Sequence, residues 1–250
     1  MKIVEYLLLG ILQGVSEFLP VSSSGHLSLV EKLLHLKVDI LFIIWVHLAT
    51  LLALLCFFYK KIIKLFKNRR LLLMVVMSSS ITGFLSLICR PFIERIFNYP
   101  LYIAGALIIN GIILLLSKTS SENYRKINFK DALILGMLQT ISLIPGISRS
   151  GLTISLLLRR KISPVDCFEF SFIVSIPLII GAFILKLAQL NNVLEIFSSH
   201  YLLGFMGAFL SGWISLKILL KLLIYKKFSC FGYYCILVGV VYMVSKYLIF

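Results

Sequence analysis

Three residues set ionisable chemistry inside apolar sequence: Glu17, His26 and Arg149. Inside a bilayer such a group costs at least about 2.5–3.5 kcal/mol, so it faces a cavity or a partner. Gln13 and Glu17 are four apart and share one helix face. Pro20 follows, then Ser22-Ser23-Ser24-Gly25-His26. Pro ends one half-helix, and the Ser/Gly run opens a second. The free N–H groups and positive dipole end of that second half-helix bind anions. Glu17 can ligate a hard divalent cation or accept a proton, and His26 can move one near neutral pH. The stretch Pro145-Gly146-Ile147-Ser148-Arg149-Ser150-Gly151-Leu152-Thr153 repeats this design. Arg149 offers a planar, permanently charged fork for phosphate oxygens. The phosphate-binding set expected from the two half-sites is Gln13, Ser22, Ser24, Gly146, Ser148, Ser150 and Thr153. Plainer readings stand beside these: a Glu17–Arg149 salt bridge that ties two tips together, and a packing histidine at 26. The salt bridge and the phosphate clamp are compatible before a ligand arrives. Together the half-sites point to an anionic ligand, a phosphate with Mg²⁺ or Ca²⁺.

The elements that carry these residues follow from composition. The chain has 250 residues, 60% hydrophobic and 14% charged, with mean hydropathy +1.03. That much apolar surface excludes a soluble globular domain, a disordered chain and a secreted disulfide scaffold. A polytopic all-α membrane protein remains. Its net charge of +15 is the Lys/Arg surplus expected of cytoplasmic loops, not a nucleic-acid footprint. Cys56, Cys89, Cys167, Cys230 and Cys235 are scattered and odd in number, so they read as packing residues. The N-terminus does not read as a cleaved signal, because Gln13, Ser16 and Glu17 interrupt its apolar stretch.

Six segments suit spanning helices: 41–59, 71–89, 101–117, 167–187, 201–219 and 232–250. Residues 5–33 and 131–158 are broken near the middle by Pro, Gly and Ser, and suit re-entrant helix–loop–helix hairpins. Lys and Arg at 60–70, 118–130, 159–161 and 220–230 place those loops in the cytoplasm and both termini outside. A gap-free shift of 126 residues lays Gly10 on Gly136, Gln13 on Gln139, Ser16 on Ser142, Ser22 on Ser148, Ser24 on Ser150 and Gly25 on Gly151. One integral membrane domain is expected, with repeats at about 1–118 and 127–250. Three spans per repeat invert the second half relative to the first, so the polar tips meet near the midplane. Among weaker candidates, His47 reads as packing and Asp39 as a helix cap. Glu169 reads as either a structural or a site-supporting carboxylate.

At these residues the sequence resembles the undecaprenyl-diphosphate phosphatase family, also called the bacitracin-resistance protein family. The motifs are Gln13 to Glu17 continuing through Phe18-Leu19-Pro20-Val21 to His26, and Pro145 to Thr153. Glu169-Phe170-Ser171-Phe172, with Ile176-Pro177 and Gly181-Ala182, is similar as well. The resemblance implies hydrolysis of undecaprenyl diphosphate to undecaprenyl phosphate and phosphate, which recycles the carrier lipid for peptidoglycan synthesis and confers bacitracin resistance. It also implies assistance by a divalent cation. It makes Glu17 the key acid and metal ligand, Arg149 the phosphate clamp, and Ser23 and His26 members of the reactive centre. Ser148 and Thr153 would support phosphate binding. Gln13 is the amide variant of its motif position and brings no second anionic metal ligand. The expected setting is the bacterial plasma membrane, with a polyprenyl diphosphate lipid as substrate, membrane lipids around it and a homodimer as an open expectation. No nucleic acid and no organic cofactor are expected.

The main rival is a polyprenyl-phosphate flippase or transporter using the same anion site, since inverted repeats with half-helices are common in transporters. The type-2 phosphatidic acid phosphatase superfamily is suggested by Ser24-Gly25-His26 and Ser148-Arg149. Its Lys…Arg-Pro and His…Asp elements are missing here. A purely structural subunit leaves Glu17 and Arg149 unexplained.

Overall fold

The computed structural model describes residues 3–34, 36, 38–96, 99–117, 123–188 and 199–249. Among them there are α-helices and one 3₁₀ turn but no strand: α1 (Ile3–Phe18), α2 (Ser23–Leu33), α3 (Ile40–Lys67), α4 (Arg69–Ile96), α5 (Pro100–Leu115), α6 (Phe129–Gln139), α7 (Arg149–Arg159), α8 (Pro164–Leu187), α9 (Ser199–Ile224) and α10 (Cys230–Ile249). Four stretches are long and apolar enough to cross a membrane: Ile40–Lys67, Arg69–Cys89, Pro164–Leu187 and Tyr201–Ile224. Pro100–Leu115 and Cys230–Ser245 are shorter apolar helices. Large apolar side chains on the outside, such as Phe84, Leu87, Leu202, Leu210 and Leu237, need lipid around them. This is a multi-pass membrane protein.

Both expected hairpins are helix–break–helix units. α2 and α7 have 11 residues each, or about 16 Å, half a hydrocarbon core. The first break, residues 19–22, contains Pro20. In the second, α6 tightens into a 3₁₀ turn at Thr140–Leu143 before Pro145 and Gly146. Ser22 and Ser148 cap the second half-helices identically, accepting from Gly25 N at 3.3 Å and Gly151 N at 3.2 Å. The 126-residue correspondence also extends to packing. A Cβ on Gly10 would lie 2.1 Å from the Gly204 carbonyl oxygen, and one on Gly136 would lie 2.8 Å from that of Ser78. Both members of the first pair are 126 residues from their counterparts in the second. α1 thus packs on α9 as α6 packs on α4.

One expectation changes. The basic stretch 60–70 is helical except at Asn68, where α3 ends and α4 begins. Lys and Arg are good helix formers, and no Gly or Pro occurs between Phe57 and Thr82. Charge therefore ends the apolar span without ending the helix. Asp39 caps α3 by accepting from Leu41 N at 3.0 Å, and also accepts from the Tyr201 hydroxyl at 2.7 Å. All five cysteines are unpaired.

The largest buried cluster brings together Phe18, Phe58, Phe168 and Phe172. Phe168 and Phe172 meet edge to face at 4.9 Å, and Phe18 meets Phe172 at 5.8 Å. This aromatic layer fixes the end of α1, one residue after Glu17, against the first half of α8. α8 itself is uneven. Residues 167–176 are almost wholly buried, whereas 177–188 are half-buried or exposed.

Candidate functional site

The two breaks touch through their backbones. Gly146 has φ +104°, and a Cβ there would lie 2.5 Å from the Ile103 carbonyl oxygen of α5. Only glycine accepts both conditions. A Cβ on Gly25 would sit 3.0 Å from Gly146. Ser22 closes the joint: its hydroxyl accepts from Gly146 N at 3.0 Å, from its own strained conformation at φ 72°. Asn110 of α5 then binds both tips with one amide. Its Nδ2 donates to the Pro20 carbonyl at 3.0 Å, and its Oδ1 accepts from Ser148 N at 3.0 Å.

This joint places Glu17, Ser23 and Arg149 together, as the motifs require. Ser23 Oγ donates to Glu17 Oε2 at 2.6 Å, and Gln13 Nε2 donates to the same oxygen at 3.1 Å. Arg149 donates to Glu17 Oε1 at 3.3 Å. Both sides of that ion pair are largely buried, at 17% and 12% side-chain exposure, yet both face a cavity of about 600 Å³. Ser22, Ser24 and Ser148 line the same cavity, with Ser16, His47, Thr82 and Gln139. Ser79, Ser80, Ser86 and Ser142 add further hydroxyls, and α8 supplies an apolar wall from Leu178, Ile179, Gly181, Ala182, Phe183 and Leu185 that ends at Lys186.

Other expected site residues sit behind this surface. Gln13, Gly146, Ser150 and Thr153 do not line the cavity. Thr153 Oγ1 donates to the Arg149 carbonyl at 2.8 Å and contacts Ser171 of α8, so it anchors α7. Ser150 Oγ lies 3.1 Å from Ser148 Oγ. His26 is also outside the lining. Its Nδ1 donates to the Ser22 carbonyl at 2.9 Å, leaving Nε2 of the neutral ring to accept from the Tyr234 hydroxyl at 2.9 Å. Tyr234 stacks on the ring at 5.6 Å. His26 is three residues from Ser23 on α2, but its ring is held between the Ser22 carbonyl and Tyr234, away from the cavity lining.

His47, read from sequence as packing, reaches the cavity and shares an electrostatic field with Glu17 and Arg149, while its Nδ1 donates to the Ile43 carbonyl at 2.7 Å. Glu169 instead pairs with Lys61 at 2.7 Å, outside the site. Asn110 and Tyr234 went unnoticed in the sequence. A lone Asn in the apolar run 101–116 was the available signal for the first.

At the mouth of the second hairpin, outside the candidate spans, Asp131 is fully buried between two arginines. Arg125 binds it through both terminal nitrogens at 2.7 and 2.6 Å, and Arg160 Nε donates to it as well. Asp131 and Asn128 form a capping box on α6. Burial pushes the Asp131 carboxyl up, but the bonds from Arg125, Arg160 and the Asn128 N–H outweigh it and hold it at about 2.

Fold and site together define a multi-pass membrane protein with a cavity lined by a buried ion pair and serine hydroxyls at the junction of two broken helices. Residues 6–241 match the family model of the bacitracin resistance protein BacA, and the chain belongs to that family. Undecaprenyl-diphosphatase of Carboxydothermus hydrogenoformans is 39% identical, over 98% of each chain. The protein of that name from Methanococcus vannielii is 36% identical over 94% of this chain and 96% of its own, and that from Thermosipho africanus 34% over 95% and 98%.

Proposed function

We infer that this protein is an undecaprenyl-diphosphate phosphatase, a hydrolase that splits undecaprenyl diphosphate into undecaprenyl phosphate and phosphate. The observation that carries the mechanism is the 2.6 Å bond from Ser23 Oγ to Glu17, with Arg149 on the other carboxylate oxygen and all three in one cavity. A nucleophile bonded to its base, beside a fixed cation, is the arrangement phosphoryl transfer needs.

In this reading Ser23 Oγ attacks the terminal phosphorus and its proton passes to Glu17. The bond from that phosphorus to the bridging oxygen breaks, and the lipid leaves as its monophosphate. Glu17 passes that proton on to the departing lipid monophosphate; again a carboxylate, it takes a proton from the water that hydrolyses the phosphoserine and releases phosphate. Arg149 holds the terminal phosphate oxygens as their charge shifts, and the N-termini of α2 and α7 add N–H donors. His26 acts from behind, as a positioning residue on the Ser22 carbonyl. The apolar wall receives the first isoprene units. A cavity of about 600 Å³ is of the size that houses one compact ligand, so the rest of the tail stays in lipid.

A divalent cation fits the residues present. Among the described residues no three His, Cys, Asp or Glu side chains converge, which disfavours a protein-only cage. Mg²⁺, however, is normally held by one or two carboxylates with substrate phosphates and water. Glu17 would hold it, with the buried and unpartnered Oε1 of Gln13 beside it. When bound, the ion neutralises diphosphate charge.

We place the protein in the plasma membrane as one integral domain, with six spans and two re-entrant hairpins in an inverted repeat, at about 1–118 and 127–250. The matched caps and the matched α1–α9 and α6–α4 packing support the repeat. The basic ends of α3 and α9 then face the cytoplasm and both termini the outside. The relatives lend no support to a flippase. The deciding assay is phosphate release from undecaprenyl diphosphate by purified protein, with and without EDTA. Metal-dependent release is expected, and none at all would overturn the reading. Trapped phosphoserine at Ser23 is expected, whereas near-normal turnover in Ser23→Ala would assign the attack to water.

A further inference from the structure

Of the chain's 25 Lys and Arg residues, the described lining of the cavity includes two, Arg149 and Lys186. Arg149 is matched by Glu17. Lys186 has no carboxylate at ion-pair distance among the described residues. The Glu17–Arg149 pair alone brings no net charge to an arriving diphosphate, so Lys186 is the cation left over.

Its position separates it from Arg149. Lys186 stands in the last turn of α8, on the half of that helix that is not packed away. It follows Gly181, Ala182, Phe183 and Leu185 along the apolar wall. Yet it is half-buried and interacts electrostatically with both Glu17 and His47. Lys186 therefore marks the border between the polar and apolar ends of the cavity. In a prenyl diphosphate, the group at that border is the phosphate bonded to the lipid.

The plainer reading is a lysine at a helix C-terminus that reaches for the headgroups and favours the helix dipole. That reading explains the location on α8, but not a lysine that lines the same cavity as Glu17 and Arg149 and interacts with the Glu17 charge.

Resting on the phosphatase reading, we propose that Lys186 binds the phosphate that stays on the lipid, while Arg149 binds the one that is transferred. That retained phosphate gains negative charge as the bridging bond breaks, so a cation beside it serves binding and departure alike. A lysine suits the task, because a compact charge on a flexible stem can follow a leaving group while the guanidinium fork stays fixed.

The test compares two inhibitors, farnesyl monophosphate and inorganic phosphate, on wild-type protein and on Lys186→Met, Lys186→Gln and Lys186→Arg. In the two neutral variants, inhibition by farnesyl monophosphate should weaken about tenfold, the loss of one charge-assisted hydrogen bond. Inhibition by inorganic phosphate should not change, and Lys186→Arg should restore most of the difference. Unchanged farnesyl monophosphate inhibition in the neutral variants overturns the proposal in favour of a headgroup-seeking lysine. Equal weakening of both inhibitors overturns it in favour of a general effect on the site. Direct calorimetric binding of farnesyl monophosphate reads the same contrast without turnover. A wild-type protein that binds it through Lys186 but releases no phosphate would sink the phosphatase reading and leave standing only a lipid-phosphate site at Lys186.

Discussion

At the first position of its second half-helix, the α1–α2 hairpin carries Ser23; 126 residues on, at the same position, the α6–α7 hairpin carries Arg149. The caps on either side are the same, Ser22 and Ser148. Glu17 has its counterpart in Leu143, and Asp131 has one in Glu5. In the proposed mechanism one hairpin thus holds the nucleophile and base, and the other holds the cation. At the mouth of the second, the buried Asp131 is bound to Arg125 and Arg160. In the repeat proposed above, differences at single positions make two identically capped helix ends into complementary halves of the proposed reaction.

Removing the cation should break this complementarity most severely. Arg149→Ala should lower phosphate release by about 10³-fold or more, on the scale of a lost electrostatic stabiliser, while the protein still inserts and purifies. Retained turnover would show that the second hairpin is scaffold. Asn110→Leu should come next. It leaves the Pro20 carbonyl and Ser148 N–H unpaired in a buried joint, at about 1–3 kcal/mol each, so thermal stability and turnover should fall together.

Asp131→Asn sharpens the contrast in stability alone. It should lower the melting temperature and leave KM near wild type, because Asp131 is remote from the cavity lining. The wild-type carboxyl sits at about 2 against its ordinary 3.8. Its contribution, about 2 kcal/mol by linkage, is fully present above pH 4 and lost as pH falls toward 2. The variant has none of this to lose, so acid unfolding monitored by circular dichroism should show a flatter acid limb in Asp131→Asn than in wild type, and equal slopes would remove Asp131 from the acid limb. Thr153→Val should have the smallest effect, under about threefold on turnover, because its hydroxyl serves α7 from behind. A larger loss, with weakened inhibition by phosphate, would restore Thr153 to the ligand-facing set.

Much of this site was legible as sequence. Glu17 and Arg149 stood out because charge is costly in apolar segments, and Pro20 and Gly146 marked the breaks. Their convergence could be read from the repeat. The direction of a side chain around a short helix could not, and so His26 and Thr153 turn away from the cavity they were expected to line. Lys186 lies at the end of an apolar span, where a lysine ordinarily signals the membrane surface. Only the course of α8 brings it to the cavity. Asn110 is a single polar residue in a third segment, and its partners are 90 and 38 residues away, a distance no local pattern spans.

The Asn110 amide has a mechanical meaning. A carrier that alternates between two openings must let one repeat slide against the other at the substrate. Here Asn110, tied to Pro20 in its own repeat, accepts from Ser148 N of the other, and Ser22 accepts from Gly146 N beside it, so such sliding would shear two buried hydrogen bonds together. The joint is built as an anvil and not as a hinge: its buried bonds oppose relative movement of the two repeats where the hairpins meet.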